Sequence, residues 1–201
     1  PAFLCTQGSD TTIQSLGLVL EGENLLKYDP DTASKEVNDG SRLLPLHCAC
    51  SYNNPNLSSI HVLYDAYPEA IFARNRDGRT PLDIARNQPT KDFLQTQLVY
   101  ARQAQDEAAM ATLDDDGWLP LHRALKDNAS LGSMKLLARA NPAALNVADR
   151  KGAYPLHIAC EFSSVKVVKY LVELAGGTLN SVDANNNSPL LPNPLLTITA
   201  S

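Results

Sequence analysis

The sequence lacks the short motifs that mark most catalytic sites. It has no phosphate-binding glycine loop, no nucleophile elbow and no zincin helix. It also lacks any apolar run of 18 or more residues, which argues against a membrane-spanning helix. From these absences we expect a chain that is not an enzyme and does not cross a membrane.

Positive charge is also in short supply. Lys and Arg total 17 against 22 Asp and Glu, so the formal net charge is −5 at pH 7. This balance argues against a general binder of nucleic acid or of an anionic membrane surface. An apolar fraction of 44% and a charged fraction of 19% are typical of a soluble folded chain.

Cysteine is sparse, and its spacing fits no zinc pattern. The four thiols are Cys5, Cys48, Cys50 and Cys160. Cys50 and Cys160 each follow a Pro-Leu proline by five residues, where close helix packing favours a small side chain. We expect buried free thiols, no metal and no cofactor. A reducing compartment is then expected, the cytoplasm or alternatively the nucleus.

What the chain does contain is a repeated Pro-Leu dipeptide. Its prolines lie 36, 39, 35 and 34 residues apart (81−45, 120−81, 155−120 and 189−155), and a histidine follows in three of the five copies. A period in the thirties is typical of a solenoid, in which each unit packs only on its neighbours. Such an architecture displays a surface and seldom encloses a catalytic pocket.

The clearest unit runs from Asp149 to about Val182. Its turn contains Gly152, Pro155 starts a first helix, and Ser163-Ser164 ends that helix and offers a hydroxyl cap to the next. The second helix ends at Gly176-Gly177. Its predicted apolar stripe consists of Val165, Val168, Leu171, Val172 and Ala175.

The other units repeat these markers. A turn residue stands three positions before the proline, as Gly78, Gly117, Gly152 and, in the last unit, Asn186. Pro68 and Pro142, 13 residues before the next Pro-Leu proline, are predicted to end second helices.

The 39-residue interval predicts one extended second helix. We expect the preceding first helix to stop at Pro89, and a helix capped by Thr90 to run from Lys91 to about Met110. It is either a tolerated surface extension or a docking element. Its expected inner face is Phe93, Leu94, Leu98, Ala101, Ala104 and Ala108.

These markers together resemble the ankyrin repeat, most closely at Gly78–Ala85 and Gly152–Ala159. The resemblance covers about residues 38–190 and implies an all-α solenoid of helix–turn–helix units joined by hairpin loops. The expected organisation is a degenerate repeat or cap at 1–40, repeats at about 41–74, 75–113, 114–148 and 149–182, a last unit from 183, and an irregular or truncated end at 191–201. Because the chain begins with Pro1, we expect its natural N-terminus to be missing, and the sequence leaves open whether a signal peptide has been removed.

The histidines of the motif are expected to be structural. Leu44, Leu119 and Tyr154 replace the threonine whose hydroxyl bonds the histidine in this family, so apolar packing must help to hold the loop. Stacked repeats lie about 10 Å apart, whereas Zn–N bonds are about 2.0–2.1 Å. His47, His122 and His157 therefore fit bonds to loop backbone better than a metal ladder.

Asp114–Asp116 is the most acidic cluster, and carboxylates can hold Mg²⁺ or Ca²⁺. The cluster lacks the spacing of a calcium loop and falls at a repeat turn. We interpret it as a solvated turn tip, with a small-molecule or metal site as the less favoured alternative.

The resemblance implies that turn tips and first helices line a concave face that binds a partner protein. Trp118, the only Trp, is expected to point to solvent and to contact the partner, unless it folds onto the turn backbone. The alternative function is a docking segment of a larger enzyme or signalling protein whose catalytic domain lies outside this chain. The expected partner-binding residues are Tyr52, Arg76, Arg79, Asn87, Asp115, Asp116, Trp118, Lys126, Arg150, Lys151, Glu161 and Phe162.

Overall fold

The computed structural model describes residues 33–36, 41–52, 56–178, 180–185 and 187–189, which form α-helices, short 3-10 helices and turns but no strands. Among these residues no helix is long and apolar enough to cross a membrane. The predictions for residues 1–32, Asn186 and the end at 191–201 lie outside the described residues. The α-helices are α1 (Pro45–Ser51), α2 (Leu57–Ala66), α3 (Pro81–Ile84), α4 (Gln88–Gln105), α5 (Glu107–Ala111), α6 (Pro120–Lys126), α7 (Leu131–Ala140), α8 (Pro155–Phe162) and α9 (Val165–Leu174).

The chain divides into two compact units, residues 1–98 and 99–201, with the boundary inside α4. In the first unit, α1 packs against α2 and α3, and a 3-10 helix at Pro68–Phe72 packs on α2. Its buried apolar side chains include Leu46, Cys50, Ile60, Leu63, Tyr64, Ala70 and Ile71.

The second unit contains two successive helix pairs, α6 with α7 and α8 with α9. The first helices α6 and α8 contact each other, and the second helices α7 and α9 do so as well, which is the stacking expected of a solenoid. The core between them is built from residues on one face of each helix: Leu121, Ala124, Leu125, Met134, Leu137, Ala138, Leu156, Ile158, Ala159, Val167 and Leu171.

The proline spacing predicted the helix starts correctly. Pro45, Pro81, Pro120 and Pro155 each occupy the first position of a helix, where the missing N–H removes no intrahelical bond. The second set of prolines also behaves as predicted. The residue before each ends a second helix, and a 3-10 helix begins at the proline, at Pro68–Phe72 and at Pro142–Asn146.

The extended helix from Lys91 to Met110 was predicted wrongly at both ends. The first helix stops at Ile84 rather than at Pro89, and α4 runs from Gln88 to Gln105. Asn87, not Thr90, caps it, because Asn87 Oδ1 accepts the Thr90 N–H at 2.9 Å.

A second, short helix follows α4, because Asp106 Oδ1 accepts the N–H groups of Ala108 and Ala109 and starts α5. This cap falls inside the segment that the apolar stripe predicted to be one helix. Ala108 is consequently exposed rather than on an inner face, whereas Leu94 and Ala101 are buried as predicted.

The unit from Asp149 to Val182 also differs from its prediction in detail. Val165 is 70% exposed and Val167 is buried, so the apolar stripe of α9 is shifted. Ser164 stands at the N-cap without a side-chain hydrogen bond, and the Ser163 hydroxyl donates instead to the Leu125 carbonyl at 3.0 Å. Cys160, predicted to be buried, is exposed.

Candidate interaction surface

Each described turn is built around one side-chain oxygen. Six residues before Pro81, Pro120, Pro155 and Pro189, an Asn or Asp Oδ1 accepts the backbone N–H groups two and four residues further on, at 2.8–3.0 Å. The glycine of each turn has the predicted positive φ, +75° at Gly78, +76° at Gly117 and +73° at Gly152. The sequence carried this signal as a recurring polar residue, which was not recognised: Asn75, Asp114, Asp149 and Asp183.

The Asp114–Asp116 cluster is engaged within its own turn. Asp114 Oδ2 lies 2.6 Å from Arg123 Nη2, and Asp116 Oδ2 lies 3.5 Å from the same nitrogen. The Trp118 backbone N–H, then Arg123 and the Asp116 N–H, hold the pKa of Asp114 below its ordinary value. Asp115 is exposed, as expected for a solvated tip. The described part of the chain contains no group of three or more His, Cys, Asp or Glu residues suited to a metal ion.

The motif histidines bond backbone, as predicted. In His122, Nδ1 accepts the Leu119 N–H at 3.2 Å, so Nε2 carries the proton and donates to the Val147 carbonyl at 3.0 Å. His47 and His157 make the same pair of bonds. Each side chain therefore starts its own helix and ties it to the loop that follows.

Burial favours the neutral form of the two most buried motif histidines. His47 and His122 are fully buried, and desolvation holds the pKa of both below the ordinary value despite the backbone hydrogen bonds that oppose it. Asp83 takes the same motif position in α3. It forms a reciprocal cap with Thr80, but an ionised carboxylate has no proton to donate to a further carbonyl.

Trp118 does not point freely into solvent, contrary to the prediction. Its side chain is half-buried, and its indole Nε1–H donates to Asp149 Oδ2 at 3.0 Å. Two cations lie over its ring, Arg123 Cζ at 4.9 Å and Lys126 Nζ at 4.7 Å from the ring centroid. The indole is thus fixed in one orientation, on the carboxylate that organises the next turn.

Arg150 lies over the Gly117 turn. A Cβ on Gly117 would stand 2.7 Å from Arg150 Cγ, so the aliphatic stem of Arg150 occupies the space beside this buried glycine. Lys151 accepts the Ala184 N–H on its carbonyl at 2.9 Å, and its side chain is exposed. The turn at 114–118 is therefore covered by side chains from the next turn as well as by its own.

The structure brings together part of the predicted surface. Trp118, Asp116, Lys126 and Arg150 gather at one turn, and exposed Glu161 and Phe162 lie at the end of α8. In the first unit, Arg76 and Arg79 are exposed at the turn tip, and Tyr52 is half-buried after α1. The side chain of half-buried Asn87 is used by the start of α4.

Arg123 is the residue at this surface that the sequence analysis missed. It connects the acidic turn to the indole, because it pairs with Asp114 and lies over Trp118. The available signal was its position directly after the motif histidine, one helical turn into α6, with an acidic turn just before the helix.

Stacked helix–turn–helix units with histidine-tied loops define this chain as a repeat solenoid that presents turn tips and first helices. Family models described as ankyrin repeats match residues 32–85 (many copies) and 92–183 (3 copies). The chain belongs to the ankyrin repeat family, as the sequence motifs suggested. Ankyrin repeats are in general protein–protein interaction modules rather than catalytic folds.

A curated relative agrees with this assignment. The chain is 34% identical over 61 residues to the ankyrin repeat protein FPV230 of fowlpox virus (strain NVSL). The alignment covers 30% of this chain and 30% of the viral protein, so it spans less than a third of either.

Proposed function

We propose that this chain is a non-catalytic interaction module that binds a partner protein through turn tips and first helices. The surface around Trp118 in the second unit carries the interaction. The supporting observation is the fixed indole, held by Asp149 and covered by the cations of Arg123 and Lys126. Trp and Arg are the residue types that most often dominate binding energy at interfaces.

A fixed side chain binds at lower cost than a mobile one. Each flexible side chain immobilised on binding costs about 0.5–1.5 kcal/mol. Arg123 and Trp118 already have defined positions in the free protein, because the Arg123–Asp114 ion pair and the indole–Asp149 bond hold them. This surface therefore needs little ordering when it meets a partner.

Site-specific photo-crosslinking tests the proposal. A photoreactive phenylalanine at position 115, on the exposed tip of the 114–118 turn, is compared with one at position 169, an exposed site on α9. We expect position 115 to form discrete adducts with another protein in cell extract, suppressed by excess unmodified chain, and position 169 to form none. Equal adducts at both positions, or adducts that excess chain does not suppress, would contradict the proposal.

A further inference from the structure

Within the described residues, two cations at the Trp118 surface have no carboxylate partner of their own. Lys126 Nζ lies 4.7 Å from the indole centroid, and Arg150 lies with its stem beside Gly117. In the described part of the chain, neither side chain makes a salt bridge to a carboxylate. Both side chains are exposed; Lys126 lies over the Trp118 ring, and Arg150 lies beside Gly117, the residue before Trp118.

Four carboxylates near this surface already have partners. Asp114 and Asp116 face Arg123, and Asp149 accepts two backbone N–H groups and the indole. Asp127, which directly follows Lys126, accepts the Tyr100 hydroxyl at 2.8 Å. The side chains of Lys126 and Arg150 carry only hydrogen-bond donors. A ligand that bonds to them must therefore supply acceptors.

The local charge limits what that ligand can be. Asp115 is exposed at the tip of the same turn, and Arg123 is a single cation facing two carboxylates. A dense polyanion would meet these negative charges as well as the cations, on a chain whose net charge is −5. A peptide that places one carboxylate at each cation and keeps its own charges away from Asp115 avoids this repulsion.

We propose that the Trp118 surface recognises a short peptide segment with two carboxylates, one paired with Lys126 and one with Arg150. This inference rests on the proposed function and names the chemistry of its partner. The bidentate geometry of a guanidinium on a carboxylate favours Arg150 as the orienting contact. Lys126 is held near its binding position by the indole, so pairing costs it less side-chain freedom.

The test is a selection of phage-displayed random dodecapeptides on the immobilised full chain. Selection is repeated on the Lys126→Gln/Arg150→Gln double variant and on a control, Lys166→Gln/Lys169→Gln, whose lysines are exposed on α9. We expect the peptides enriched on the parent chain to share two Asp or Glu residues. We expect the first double variant to bind them about tenfold or more weakly, and the control to bind them normally.

Raising NaCl from about 50 to about 300 mM should weaken peptide binding to the parent and leave the residual binding of the double variant nearly constant.

Enriched peptides without paired acidic residues, or equal losses in the two double variants, would overturn the carboxylate inference while leaving the interaction module intact. If no peptide is enriched on the parent, the proposed function fails at this surface together with the inference. Tighter binding of a labelled single-stranded 20-mer oligodeoxynucleotide than of the selected peptides would also overturn it.

Discussion

Two turns of this chain share one backbone design and differ in what covers it. At 75–79 and at 114–118, an Asn or Asp Oδ1 accepts two backbone N–H groups, and a glycine follows at φ +75° or +76°. A Cβ on Gly78 would meet nothing within 4 Å, whereas one on Gly117 would stand 2.7 Å from Arg150 Cγ. The first turn is open and the second is covered.

This difference distinguishes the residues that the repeat fold requires from those that are available for binding. The turn backbone needs only a polar residue, a glycine and a proline at fixed spacing, and both turns have them. The second turn adds Arg123, Trp118 and Arg150, none of which the turn geometry requires. Side chains beyond the requirements of the fold are where a repeat protein can acquire specificity.

The largest expected difference lies in the helix starts after the two turns. His122→Ala should destabilise the chain by about 3 kcal/mol, because it leaves the Val147 carbonyl without its donor and opens a cavity. Asp83→Ala, in an exposed cap, should cost at most about 1 kcal/mol. Urea denaturation followed by circular dichroism measures both. Equal losses would mean that the two helix starts do not differ as described.

The turn glycines give the next largest difference. Gly78→Ala should cost about 1 kcal/mol from the positive φ alone. Gly117→Ala adds the displacement of the Arg150 stem and should cost about 2 kcal/mol. The double variant Gly117→Ala/Arg150→Ala should return to about the Gly78→Ala value. No recovery in that double variant would show that Arg150 does not cover the turn.

Trp118 and Arg79 occupy the same repeat position. The losses of stability caused by substituting them should differ by a smaller amount than in the two comparisons above. Trp118→Phe keeps a ring but loses the indole donor to Asp149, so we expect a loss of about 1 kcal/mol. Arg79→Ala removes an exposed side chain and leaves the backbone bonds of the turn, so it should stay within about 0.5 kcal/mol of the parent. Indistinguishable unfolding curves for Trp118→Phe and the parent would show that the indole bond adds nothing to stability.

The smallest expected difference depends on pH. Burial lowers the pKa of His122 in the folded chain, so as pH falls the unfolded chain binds a proton before the folded chain does. The stability that His122 contributes is therefore fully present above pH 6.5 and decreases as pH falls below that value. The stability gap between the parent and His122→Gln should therefore narrow, by less than about 1 kcal/mol, between pH 7.5 and 6.

Asp83 provides the contrast. Its bonds to Thr80 lower its pKa from 3.8, so its contribution is lost only below that value. The gap between the parent and Asp83→Ala should stay constant between pH 7.5 and 6. A constant gap for His122→Gln over the same range would contradict the assignment of a neutral buried imidazole.

Features imposed by backbone geometry were predictable from the sequence. Pro120 at a helix start and Gly117 at positive φ each follow from a restriction that only a few residue types satisfy. The bonds of His122 to loop backbone were predicted from the resemblance to the ankyrin repeat. The errors arose where a residue had two possible roles. Asp106 fitted a helix surface but caps a new helix, because its side chain competes for backbone N–H groups.

The candidate surface was predicted less completely for a related reason. Trp118 was recognised by its residue type, but its orientation depends on Asp149, 31 residues later in the sequence. Val165 and Val167 are both apolar, and only the helix phase set by packing decides which is buried. Contacts between successive turns are tertiary, and a repeat alignment alone does not reveal them.

The most direct test uses the only Trp of the chain. The indole N–H of Trp118 gives one signal in a ¹H–¹⁵N NMR spectrum, and a selected peptide with two carboxylates can be added to saturation. We predict a clear shift of that signal and of the Gly117 amide, with a much smaller shift at Gly78 in the open turn. An unmoved indole signal at saturation, with the largest shifts at Gly78, would contradict the claim that the covered turn is the binding surface.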